Sequence, residues 1–89
     1  MDRILNVKVI SPTQVLFDGP ALSVSSKNLM GRFDVLPEHA NMITFIEKDH
    51  PIEIRNENKQ KISFKFPMAI IYVRSNQVTI YSQPEIISL

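Results

Sequence analysis

The chain has 89 residues, a formal net charge of +1 and no cysteine, which excludes a disulfide framework and any thiolate metal site. Near neutrality excludes long-range attraction of the whole chain to nucleic acid or anionic lipid, and 44% hydrophobic with 21% charged residues excludes disorder. The opening MDRILNVKVI is too short and too charged for a secretory signal, and no apolar run approaches the ~20 residues that a spanning helix needs.

Taken in chain order, Leu5, Val7 and Val9 alternate with Asn6 and Lys8, which predicts a half-buried first strand. Ser11-Pro12-Thr13 is a turn. Val15-Leu16-Phe17 reads as a short strand closed by Asp18-Gly19-Pro20, glycine supplying a left-handed conformation and proline stopping the pairing. Leu22 and Val24 then face one way and Ser23 and Ser25 the other. Lys27 to Gly31 reads as a loop carrying two large apolar residues, Leu29 and Met30. Such residues either fold back to cap a core or stand out as a docking surface.

The run GRFDVLPEHANMIT, Gly31 to Thr44, is the most structured piece of sequence. Gly31 frees the backbone, Phe33 and Val35 alternate with Arg32 and Asp34, and Pro37 ends the strand before a tight polar corner at Glu38-His39-Ala40. Phe33 is read as a core residue whose truncation to alanine costs ~3–5 kcal/mol. Met42 to Ile46 is apolar at nearly every position, the pattern of a strand covered on both faces. Further strands follow around Ile52 and Ile54, Ile62 to Phe66, Met68 to Val73, and Val78 to Tyr81, with a short last piece from Glu85 to Leu89. About nine strands at 8–12-residue spacing, with no helical period, predict a single all-β domain over residues 1–89, a sandwich or a barrel.

Nothing in this pattern carries catalysis. His39 and His50 stand in separate turns with no third nitrogen or sulfur ligand nearby, short of the three or four ligands that a zinc site needs. The carboxylates fall at turns or on polar strand positions, where no pair is buried enough to separate two acidities. The chain's two glycines build neither a phosphate loop nor a nucleophile elbow. No cofactor is expected. Lys61 and Lys65 flank Ile62, Phe64 and Phe66 on opposite faces of one strand, whereas a nucleic-acid platform needs charge and aromatics on the same face.

In order along Leu5 to Ser82, these segments resemble the amino-terminal domain of the epsilon subunit of F-type ATP synthases. The resemblance is carried by LNVKVISPTQVLFDG, ALSVSS, the corner formed by Leu36, Pro37, His39 and Ala40 after Gly31 and Phe33, the apolar strand through Thr44, and IIYV leading into QVTIY. It implies an all-β fold, a single β-sandwich of about ten strands. It implies a non-catalytic rotor subunit that couples the gamma subunit to the membrane c-ring, so that ion-driven rotation drives ATP synthesis. Residue by residue, Ser11, His39 and Thr44 correspond to the gamma side, and Asn28, Leu29, Met30, Gly31 and Arg32 to the c-ring end. The resemblance further implies residence at the cytoplasmic face of the bacterial plasma membrane, reached only through the c-ring, with no nucleic acid among the partners. A small β-barrel nucleic-acid-binding module is the alternative expectation.

Two departures from the family pattern stand out. Arg32 replaces an acidic or small residue, and Phe66-Pro67-Met68-Ala69 replaces a Ser-Gly-Gly turn. Relatives typically continue into a two-helix carboxy-terminal domain, and with the sequence ending at Leu89 that hairpin is expected to be absent.

Overall fold

The computed structural model describes residues 4–82. Within them the chain forms nine strands: β1 (Leu5–Ile10), β2 (Val15–Ala21), β3 (Ser23–Asn28), β4 (Gly31–Val35), β5 (Met42–Phe45), β6 (Ile52–Arg55), β7 (Lys61–Phe64), β8 (Ala69–Arg74) and β9 (Gln77–Ser82). They make two sheets, β2-β1-β9-β8-β5 and β4-β3-β6-β7. The expected piece from Glu85 to Leu89 lies outside the described residues.

Period-2 alternation decides what is inside. Leu5, Val7, Val9, Ile71, Val73, Val78 and Ile80 line the inner face of the larger sheet and are fully buried. Val24, Val35, Ile52 and Ile54 answer from the smaller sheet. One slip of register would turn each of these sets toward water, so burial on one face fixes the pairing. All pairings are antiparallel except β1 with β9, which run parallel from Asn6–Gln77 to Ile10–Tyr81. Two serines share the interior, and each donates to a carbonyl: Ser26 Oγ to Pro51 O at 3.0 Å and Ser82 Oγ to Ile10 O at 3.1 Å. A hydroxyl that finds an acceptor avoids the cost of burying it unpaired.

The flanks of the sandwich are closed differently. On one side Phe17 of β2 meets Phe64 of β7 edge-on, at a centroid distance of 6.4 Å, and Phe64 stacks on Phe66 at 5.8 Å. The aromatics of the Lys/Phe segment are therefore turned toward the core, while Lys61 and Lys65 stay exposed. On the other side the chain after β5 bridges the sheets: Ile46 N donates to Ala69 O and Glu47 N to Lys27 O at 2.7 Å.

Four expectations are corrected. Asp18-Gly19-Pro20 does not stop β2, which continues to Ala21 with Pro20 opposite Asn6. The Asn6 amide donates to Asn76 O on the far side of β1, so Asn6 and Pro20 form a non-bonded pair and the missing proline N–H falls on the open edge of the sheet. Gly19 has no positive φ. Residues 27–31 are not a loose loop but a two-residue reversal between Asn28 and Gly31. Phe33 is half-buried against the core rather than within it, and β5 is bare on its outer side.

Candidate functional site

The corner after β4 is built around one unusual backbone. Glu38 has φ +72, a left-handed conformation that a side chain with a Cβ adopts only when held there. What holds it is Asn76, whose Oδ1 accepts the Glu38 N–H at 2.7 Å while its Nδ2 donates to the Glu38 carboxylate at 3.1 Å. Asn76 and Ser75 are themselves left-handed, with φ +65 and +49, and form the two-residue reversal between β8 and β9. Asn41 Oδ1 accepts from Ser75 N. The His39 amide donates to Leu36 O and its ring Nδ1 to Ala40 O at 2.6 Å, so Nε2 is left for other contacts. The corner is thus locked to the β8–β9 reversal through side-chain amides.

The tip between β3 and β4 is organised in the same economical way. Asn28 Oδ1 accepts from Met30 N at 2.8 Å, a local turn that asparagine is suited to make. Gly31 has φ +122, and an added Cβ would meet nothing within 4 Å, so it is the backbone angle that calls for glycine here. Leu29 and Met30 are left 96% and 93% exposed. Of the two options open in the sequence, they stand out. Arg32 lies opposite Lys27 in the hairpin, and Lys27 pairs with Glu47 at 3.6 Å. An open concavity of about 650 Å³ separates the tip (27–31) from the segment 45–48.

A larger feature lies on the outer face of the five-stranded sheet. Phe45, Ile70, Tyr81 and Ile10 fall in one register row across β5, β8, β9 and β1, and Ile43, Tyr72 and Thr79 in the next. Ile43 is 68% and Phe45 61% exposed, and Tyr72 and Tyr81 are exposed as well. Toward β2 the second row ends in Lys8 and Asp18, so the apolar area is centred on β5, β8 and β9. Scattered apolar residues on a surface are ordinary; a contiguous face of them marks a contact.

Against this geometry the residues singled out from sequence separate into two groups. Asn28 to Arg32 come together at the tip. Ser11, His39 and Thr44 do not cluster. Ser11 follows β1 beside Tyr81, and its hydroxyl is engaged in its own turn with Thr13 and Gln14. The His39 corner is bonded to Asn76, at the other end of β9, roughly 17 Å away at 3.4 Å per residue. Thr44 points between the sheets and accepts from Asn28 Nδ2 at 3.1 Å, tying the edge strand to the tip. Ser11 and the corner therefore stand at the two ends of the apolar face and Thr44 on its edge strand. The residues that form the face, Ile43, Phe45, Tyr72 and Tyr81, were not singled out. Their signal was the apolar run Met42 to Ile46, where both faces of a strand are apolar and the outer one is covered by nothing among the described residues. Those residues also hold no group of three or more His, Cys, Asp or Glu placed to bind a metal ion.

Comparison with known proteins gives a consistent picture. Residues 4–84 match the model of the ATP synthase delta/epsilon chain β-sandwich domain. The ATP synthase epsilon chain of Brevibacillus brevis is 27% identical over 79 residues, covering 89% of this chain and 59% of the relative. That of Sulfurimonas denitrificans is 32% identical over 76 residues, covering 85% and 58%. This chain thus spans less than two thirds of the length of these curated relatives. Among solved structures, a chain in the Euglena gracilis mitochondrial ATP synthase OSCP/F1/c-ring assembly superposes with a TM-score of 0.83 at 13% identity, covering 92% of this chain and 52% of that one. A chain in the central stalk and c-ring of the Tetrahymena thermophila mitochondrial ATP synthase gives 0.71 at 11% identity, covering 88% and 62%. At such identities the structural likeness speaks for the fold.

Proposed function

The chain belongs to the ATP synthase delta/epsilon chain β-sandwich family, and on that premise we propose that it serves as a non-catalytic rotor element of an F-type ATP synthase, fastening the gamma subunit to the membrane c-ring. The observation that carries this reading is the pair of uncovered apolar surfaces on one rigid body, a broad sheet face and a narrow hairpin tip. The face around Ile43, Phe45, Tyr72 and Tyr81 suits a flat protein partner. It has an apolar centre with a rim of charge, Lys8 and Asp18 on one side and Arg74 on another, which is how stable protein interfaces are made. This face takes gamma, with Ser11 and the His39 corner at its ends and Thr44 on its edge strand. The tip, with Leu29 and Met30 flanked by Asn28, Gly31 and Arg32, seats on the ring.

The mechanism is mechanical. A close-packed interior deforms little, so a sandwich held by gamma on one surface and by the ring on another carries rotation between them. No bond is made or broken by this chain. Its place is peripheral, at the cytoplasmic face of a bacterial plasma membrane, and its hold on the membrane is through the ring. The nucleic-acid alternative finds no platform, since Phe64 and Phe66 pack inward while the lysines face out.

A capture experiment tests the reading. The chain, immobilised, is offered the gamma subunit of the same source and, separately, a fluorescent single-stranded oligonucleotide. Gamma is expected to bind, and Tyr72→Asp to weaken that capture at least tenfold without loss of fold. Oligonucleotide capture that fades with salt, with gamma not retained, overturns the proposal.

A further inference from the structure

Two sheets have four edges, and three of them carry devices that discourage another strand from pairing. β2 holds Asp18 and Pro20 and has a register irregularity beside it at Val9/Ile10. β4 opens on a left-handed glycine and presents Arg32 and Asp34 outward. β7 begins at Lys61 and is followed by Lys65 and Pro67. Charges, proline and irregularity are how edges are kept from association. β5 has none of these within the strand: Met42, Ile43, Thr44 and Phe45 form a short, uncharged strand with high β-propensity, and charge appears only beyond it, at Glu47 and Lys48.

The backbone of β5 is also arranged to receive a neighbour. Ile46 N donates to Ala69 O of β8. In an antiparallel ladder residues two apart bond on the same side, so Thr44 and Met42 also bond toward β8, and the amide and carbonyl groups of Ile43 and Phe45 point away from the sheet. Among the described residues no backbone partner meets them; the Phe45 carbonyl has only the neighbouring Thr44 hydroxyl at 3.4 Å. One step further on, Glu47 N, which points the same way, is taken by Lys27 O. The free edge therefore runs from Ile43 to Phe45 and opens onto the concavity under the tip, whose other wall includes Leu29 and Met30.

We propose that β5 accepts an extended segment of the gamma subunit as a sixth strand of the larger sheet, paired to the outward amide and carbonyl groups of Ile43 and Phe45. The inference rests on the reading that gamma docks on the outer face. The occupant follows from continuity. A strand laid beside β5 lies about 4.8 Å away in the same sheet, and its alternate side chains extend the rows that run through Ile43–Tyr72 and Phe45–Ile70. The segment that fits therefore has apolar residues at every second position on one side. Main-chain bonds supply the affinity, and the apolar rows select the register.

Amide hydrogen exchange tests this on the unaltered chain. Alone, the Ile43 and Phe45 amides exchange quickly; in the purified complex with gamma they are expected to slow at least 100-fold. Proline at either position removes only the outward N–H and is compatible with an edge strand. Phe45→Pro is expected to weaken capture of gamma about tenfold more than Phe45→Ala, which keeps the donor. If gamma binds and both amides still exchange quickly, the partner docks through side chains alone; the proposed function stands and the added strand is overturned. If gamma does not bind, the function proposed above falls and this inference with it. Protection that appears in the chain alone as its concentration rises assigns the edge to a second copy, and also overturns it.

Discussion

Replacing Asn76 separates two roles that one side chain performs. Its left-handed backbone forms half of the β8–β9 reversal, and its amide group holds Glu38 by bonds of 2.7 and 3.1 Å. Asn76→Ala loses both bonds and forces alanine into φ near +65. Surface hydrogen bonds contribute about 0.5–1.5 kcal/mol each, and the left-handed backbone costs alanine roughly 1–2 kcal/mol. The expected loss is about 2–5 kcal/mol, a large share of the 5–15 kcal/mol that holds a domain folded. Asn76→Gly loses the same bonds but adopts the backbone freely, so about 1–3 kcal/mol is expected. Urea unfolding of the three proteins, compared at equal m-value, gives the ranking parent, then glycine, then alanine. Alanine within 0.5 kcal/mol of the parent, or glycine below alanine, would refute the argument that this residue locks the corner.

Phe33→Ala is expected to cost about 1.5–3 kcal/mol, less than a fully buried phenylalanine, because the ring is only half covered; the urea midpoint reports it, and a loss above 4 would place the ring in the core proper. Gly31→Ala has room for its methyl group but not the φ of +122, so a destabilisation of about 1–3 kcal/mol is expected from backbone strain alone, read from thermal unfolding. Met30→Asp leaves stability within 0.5 kcal/mol because the side chain is exposed, yet is expected to weaken co-purification with the c-ring. Unchanged co-purification would detach the tip from that role.

The alternation of apolar and polar residues made the strands legible, because each has one wet and one dry side and a period of two can be read directly. Leu5, Val7 and Val9 are the plainest case. Asp18-Gly19-Pro20 misled for a physical reason. Proline breaks a strand only where its nitrogen must donate, and at an open edge facing away from β1 nothing asks it to. Which edge is open is decided by long-range pairing, which local sequence does not encode. Phe33 misled similarly, since an apolar residue in alternation is inward but its depth depends on what the other sheet places opposite. The tip and corner were visible through their unusual residues, Gly31, Pro37 and His39. Their anchor, Asn76, sits 38 residues from Glu38, in a stretch that looks like any turn. The outer face was hidden because Met42 to Ile46 reads the same whether its second cover is a neighbouring layer or a different molecule.

The parallel seam between β1 and β9 joins the earliest described strand to the latest one, at the middle of the larger sheet. On a ribosome the hairpin of β1 and β2 emerges first and has no lasting neighbour until Gln77 to Ser82 follow. The four-stranded sheet is complete by Phe64, whereas the larger one is joined only when β9 arrives, and contacts so remote in sequence slow the search. The exposed face of Ile43, Phe45, Tyr72 and Tyr81 therefore belongs to the layer that is completed last, and any piece ending before Gln77 lacks the strand that joins its two halves.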